Sequence, residues 1–496
     1  MQALPLFIGL SLAAPAAAQA TFSTFGLVAP SQEVNATDLS ADGSVVVGIN
    51  NNQAFRWTEA GGYTYLGALP DPLPVSFARA VSADGNVVVG WSNSTSDVAR
   101  GFRWDATNGM VALEPLSYSL GIGLSGAEAV GGAAQWIGGY SYDTDIDQPT
   151  VWDIAGNPIR LPLPPTHPWG YVNDIADQAP IAVGSAVTIG GQVSAFHAVI
   201  GGALTLIGAP AGYSSSRAQA VSADGSVVLG TCRRPDQSLA MFRWSQATGF
   251  EVLAAPIGGA GELTLTGCNA NGTVAVGFEV AGGGPQGFYW SEGTGTVSLN
   301  ALLLTHGATG LSPTAPLRPN AVSADGNIIV GRTGGPGTGP AWFRAQLSPV
   351  EPTAIGSDFC APSIPNSVGL TPRLQAVGSA MPAHNDLVLE ATDLPANVFG
   401  FVLASTQTAI TPVYMGSSGT LCLDGAIGRY NQVHNIRFSG PFAQTALRVN
   451  TGAIAQPGAP VAVQAGETWY FQLWYRDQGP LGSTSNFTSA AEVTFQ

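Results

Sequence analysis

A short apolar run closed by glycine, V-V-V-G in its fullest form, recurs along the chain and ends at Gly48, Gly90, Gly139, Gly184, Gly230, Gly277 and Gly331, at spacings of 42 to 54 residues. A unit of this length cannot bury its apolar face alone, so neighbouring copies must stack and share a core. Each copy reads as four short strands. The first supplies the pattern as ATDLSADG, SVVVGIN, QAFRWT and YTYLGALP.

The pairs Asp42-Gly43, Asp84-Gly85, Asp224-Gly225 and Asp325-Gly326, with Asn271-Gly272 in the sixth copy, each lie between two β-runs. Glycine takes positive φ there at no steric cost and Asp or Asn accepts hydrogen bonds from its own turn, which makes these pairs strong hairpin signals. The valine run that follows lacks polar alternation. A strand apolar on both faces must be covered on both, as in sheets stacked face to face. Four strands per unit of about 45 residues predict a blade of a β-propeller. Seven units predict seven blades. The third and fourth copies have lost the Asp-Gly pair, so the carboxylates do not recur as one ring of ligands and the turn reads as scaffold. The seventh copy stops at Leu347 without a fourth strand, while TFSTFGLVAP at 21–30 matches that strand in the first copy. Residues 21–30 are therefore expected to complete blade seven.

The series A-x-x-V-S-A-D-G-x-V-V-V-G, A-F-R-W and G-x-x-x-L-G over residues 36–347 resembles the bacterial extracellular HAF-family repeats. The resemblance implies a β-propeller-like fold. That family brings no agreed catalytic residues, so it implies no site.

After residue 352 the repeat ends, and runs such as NDLVLEATDLP, FGFVLAST and ETWYFQLWYRD alternate with Pro, Gly and Asn turns. Short strands at this spacing predict a β-sandwich. Period two in the last run places Trp469, Phe471, Leu473 and Tyr475 on a core face. Tyr470, Gln472, Trp474 and Arg476 fall on the other, expected to be a solvated face with an aromatic binding surface as the alternative. The expected organisation is all-β: a signal peptide at 1–20, a seven-bladed propeller at 21–348, a linker at 349–358 and a β-sandwich at 359–496.

Residues 1–20 carry an apolar core and an Ala18-Gln19-Ala20 tripeptide resembling a signal-peptidase site. No other segment offers about 20 uncharged apolar residues. The expected location is therefore extracellular, cell-surface or periplasmic. All 17 basic residues are Arg, against 32 acidic ones, a net charge of −15. This argues against nucleic acid as a partner, because binding its backbone requires clustered cations. Of the four cysteines, Cys360 and Cys422 share the C-terminal region and are expected to form a disulfide. Cys232 and Cys268 fall too far apart along their strands to bridge.

Chemistry is sparse. The chain contains no G-x-S-x-G, H-E-x-x-H or P-loop, and His167, His197, His306, His384 and His434 lack ligand spacing. The stretch Asp143-Thr144-Asp145-Ile146-Asp147 offers alternating carboxylates of the kind calcium takes, although Gln148 stands where a calcium loop needs glycine. Trp57, Trp104, Trp152, Trp244 and Trp290 recur at one strand position and are expected to fill the wedge between blades. These features favour an exported, monomeric, non-catalytic module that binds a glycan or protein, without a required cofactor. The alternative is a propeller hydrolase acting on an extracellular polysaccharide.

Overall fold

The computed structural model describes residues 19–26, 34–94, 98–117, 123–131, 133–143, 146–253, 262–281, 284–312, 315–334, 339–347, 353–432, 435–479 and 482–496. Among the described residues the fold is all-β apart from one α-helix, Leu299–Thr305, and two short 3-10 turns. Seven four-stranded antiparallel sheets follow one another in the described chain. The first contains Val34–Leu39, Val45–Asn50, Gln53–Thr58 and Gly62–Tyr65. Five more occupy residues 76–112, 125–160, 169–208, 215–253 and 262–298. The seventh takes three strands from 318–346 and its outermost strand from Thr21–Gly26, which pairs antiparallel with Ala341–Gln346. Phe25 of that strand stacks on Trp342 at 4.1 Å and meets the edge of Trp57 in the first sheet.

Every sheet shares a buried cluster with the next, and the seventh shares one with the first through Val46, Phe55, Ile328, Val330 and Trp342. Trp57, Trp152 and Trp290 are buried in such clusters, whereas Trp104 and Trp244 are partly exposed. The glycine of V-V-V-G has a sharper role. A Cβ at Gly48, Gly90, Gly139, Gly184, Gly230, Gly277 or Gly331 would lie about 2 Å from a backbone oxygen of the adjacent innermost strand. That strand carries a β-bulge in every sheet, and the bulge brings its carbonyl inward. In six sheets a phenylalanine stands opposite the glycine: Phe55, Phe102, Phe196, Phe242, Phe288 and Phe343. At Gly184, Gly230 and Gly277 the ring lies 2.7, 2.9 and 2.5 Å from where a Cβ would stand, so there the glycine and the opposing Phe are one packing unit.

In the C-terminal region Thr468–Gly479 and Gly482–Thr494 form the centre of a six-stranded sheet, which also takes in Ser357–Phe359 and Phe399–Ser405. It faces a three-stranded sheet of Arg373–Gly378, Leu387–Thr392 and Thr445–Val449 over a core that includes Leu389, Leu447, Phe471 and Leu473. The opposite side of the three-stranded sheet, Val377, Val388 and Ala446, packs on Leu299 and Leu303 of the helix and on Phe343 of the seventh sheet. Arg448 reinforces this joint by donating to the Gly307 carbonyl at 2.8 Å. Cys360 and Cys422 are joined by a disulfide, with Cα atoms 6.3 Å apart, whereas Cys232 and Cys268 are free thiols.

The second face of the W-Y-F-Q-L-W-Y-R-D strand departs from the solvated surface expected of it. Gln472 is fully buried beneath the hairpin of Gln407–Pro412 and Thr420–Asp424, donating to the Thr420 and Thr488 carbonyls and accepting from the Cys422 amide. Its three hydrogen bonds offset the cost of burying the amide.

Candidate functional site

The innermost strands of all seven sheets line one cavity of about 200 Å³. The extra residue at each bulge is polar: Thr37, Arg79, Glu128, Asn173, Gln219, Thr266 and Asn320. Six of these tie one sheet to the next. Thr37 donates to the Ala78 carbonyl, Asn173 to Ala218, Thr266 to Pro319 and Asn320 to Ala36, while Arg79 lies 3.6 Å from the Glu128 carboxylate.

Below this ring sit the S-A-D-G turns, whose chemistry is structural. Asp42 accepts from the Ser40 hydroxyl and the Ser44 amide, and the Ser40 hydroxyl accepts from the Val45 amide. The same bonds recur around Asp84, Asp224 and Asp325, and Asn269, Asn271 and Thr273 reproduce them in the sixth sheet. The serine hydroxyls hold Asp42, Asp84 and Asp224 below the usual carboxylate range. Gly43, Gly85, Gly225, Gly272 and Gly326 all have positive φ, and a side chain there would also press on an aliphatic residue of the preceding sheet. The alanine of the motif is a link as well: the amides of Ala41, Ala223, Ala270 and Ala324 donate to the Ala83, Ala270, Ala324 and Ala41 carbonyls respectively.

Three further carboxylates enter the cavity among these turns. Asp38 accepts from the Val81 amide of the next sheet, and Asp174 from Val221 in the same way. Burial pushes Asp38 up to about 7 and Asp174 up to about 8, against the lowering effect of those amides, and it raises Asp177 too. Cys268 shares this space, and burial with the charges of Asp174 and Asp177 raises its thiol. No histidine is among the described lining residues.

Two residues before each bulge, on the same side of the innermost strand, stand Asn35, Phe77, Gly126, Tyr171, Arg217, Thr264 and Arg318. This tier differs in character. Phe77 stacks on Trp91 at 4.2 Å, Tyr171 meets Tyr140, and Arg318 lies over Phe278. A second cavity, of about 350 Å³, opens here between the fifth and sixth sheets and shares Gln219 with the first. The lining thus changes along its length from carboxylates among the turns to arginines and aromatic rings at this end.

The stretch at 143–147 lies on the third sheet. Asp143 pairs with Arg160, Asp147 accepts from the Tyr171 hydroxyl at 2.7 Å, and Asp145 falls outside the described residues. Sequence reading missed Asp38, Asp174 and the bulge ring. The signal was present in one place: a polar residue interrupts the first apolar run at the same position of every copy.

No family profile and no curated protein sequence matches the chain. Solved structures similar to it include an oligogalacturonate lyase from Vibrio parahaemolyticus, at 12% identity over 66% of this chain and 97% of the other, with a TM-score of 0.42. The β-propeller domain of Cps50 (Swd1) from Myceliophteria thermophila matches at 11% over 65% and 98%, with a TM-score of 0.38. TolB from Acinetobacter baumannii matches at 11% over 53% and 62%, with a TM-score of 0.36. At these scores the likenesses carry no argument about activity or ligand.

Proposed function

We propose that the chain is an exported, monomeric, seven-bladed propeller of HAF-type repeats joined to a β-sandwich, and that it acts as a non-catalytic module binding an extracellular glycan or protein. The observation that carries this reading is the engagement of the channel's polar groups. Asp38 and Asp174 hold amides of neighbouring sheets, Glu128 holds Arg79, and the turn aspartates hold their own turns. A catalytic carboxylate needs a free oxygen facing substrate; Asp38, Asp174 and Glu128 line the cavity but commit oxygens to scaffold contacts, which leaves Asp177 as the lining carboxylate without a side-chain partner among the described residues. The disulfide between Cys360 and Cys422 supports an oxidising destination.

One observation favours the alternative of a hydrolase. Asp38 and Asp174 titrate near neutrality, which suits a general acid. A screen of the full chain against polysaccharides and proteins, with and without calcium, separates the two. Retention without any released product is expected. Product that disappears in Asp174→Asn would establish hydrolysis and end the non-catalytic reading.

A further inference from the structure

We propose that the cavity between the fifth and sixth sheets is a binding site for a hydroxyl-rich carboxylate, an acidic sugar unit. This rests on the reading of the chain as an extracellular binding module and names its ligand class. The cavity is lined by Ser215, Arg217, Gln219, Arg233, Glu262 and Thr264 among others. Its volume of about 350 Å³ lies at the lower end of small-ligand sites, roughly 300–1,000 Å³. That is room for one or two sugar units.

The charges decide the class. On this acidic chain several arginines are paired with carboxylates: Arg79 with Glu128, Arg103 with Asp105, Arg243 with Glu292 and Arg448 with Asp386. Arg217 has neither a carboxylate nor a hydrogen-bond partner among the described residues and is exposed at the cavity. Arg233 lends one nitrogen to Gln237, at 3.2 Å, and keeps its remaining donors. A guanidinium fork left open in this way matches a carboxylate, which it grips through two parallel hydrogen bonds.

The rest of the lining asks for hydroxyls. Gln219 forms part of the wall that this cavity shares with the first. Glu262 is an exposed acceptor at the rim, and the Ser215 and Thr264 hydroxyls have no partner within the described structure. A ligand that accepts from arginine at one end and donates hydroxyls at the other satisfies these groups together. A bare anion leaves Glu262, Ser215 and Thr264 unpaired, and a neutral sugar leaves the guanidinium unused.

Calorimetry on the full chain with D-glucuronate, a glucuronate trimer, D-glucose and inorganic phosphate tests the site. Arg217→Ala and Arg217→Lys are the variants, with exposed Arg373→Ala as the control. Glucuronate and its trimer should bind while glucose and phosphate bind about tenfold more weakly or worse, a difference of about 1.4 kcal/mol. Arg217→Ala should lose about tenfold with an unchanged melting temperature, Arg217→Lys should fall between, and Arg373→Ala should match the parent. Equal binding of glucose, phosphate binding as tightly as glucuronate, indifference to Arg217→Ala, or no uronate binding by folded protein would each overturn the proposal. If the wider screen finds a ligand whose binding ignores Arg217, this site falls and the binding module stands; released product removes the module reading itself.

Discussion

Replacing Asp38 and Asp174 by Asn should make the protein's stability less dependent on pH. Both carboxyls rise from an ordinary 3.8, to about 7 and about 8 respectively. Between these values the folded chain binds protons that the unfolded chain has already released, so stability falls as pH rises. The contribution is fully present below about pH 4 and is lost by about pH 8. Each unit is worth about 1.4 kcal/mol, which gives roughly 4 and 6 kcal/mol for the two groups taken separately. Both are only partly shielded from channel water, and they share the charge of Asp177, so about 4 kcal/mol for the pair is the expected loss. Asn keeps an oxygen to accept from the Val81 and Val221 amides. The turn aspartates titrate in the opposite sense at low pH, so the informative quantity is the difference between parent and double variant. Urea unfolding at pH 5, 6.5 and 8.5 should show the double variant gaining on the parent with each step. A difference that stays constant across that range refutes the reasoning.

Gly230→Ala should cost about 3 kcal/mol or more, because its Cβ would stand 1.9 Å from the Arg217 carbonyl and backbone cannot rotate away. Gly62→Ala, at φ +63 with nothing within 4 Å, should cost only about 1 kcal/mol for its left-handed backbone; equal costs by denaturant unfolding would contradict the packing argument. Cys422→Ser opens a loop closed over 62 residues and should lower stability by about 3 kcal/mol, read as a fall in the denaturation midpoint that reductant reproduces in the parent. Melting in EDTA and in millimolar calcium should coincide, since Asp143 and Asp147 already have partners; a calcium-dependent rise would make the 143–147 stretch a metal loop. Deleting residues 21–26 should collapse the cooperative melting transition, and unchanged melting would contradict the role of that strand.

The strands and turns were legible because hairpin chemistry is local: Asp42-Gly43 and its counterparts announce themselves within four residues. The glycine of V-V-V-G was legible as a marker but not as a cause. Its reason lies in a carbonyl thirteen residues away, on a strand whose bulge leaves no gap in the sequence. Gln472 shows a related limit, since period two assigns a face and cannot show that a distant hairpin covers it. Asp38 and Asp174 were hidden for another reason: the other copies carry alanine or glycine at that place, so comparison between copies averaged them away. A site written in one or two repeats out of seven is invisible to any reading that looks for what the repeats share.

The strand Thr21–Gly26 precedes all seven sheets' other strands in the sequence, yet its hydrogen-bonding partner is Ala341–Gln346. During synthesis the opening segment must therefore wait for some three hundred residues before it can dock. Until then the exposed flank of the first sheet, with Val46 and Phe55, has no neighbour. Assembly from identical units would allow folding to advance unit by unit. A clasp between the first strand and the seventh sheet makes completion all-or-none, so that a truncated translation product leaves the apolar edge of the first sheet open to proteases and aggregation.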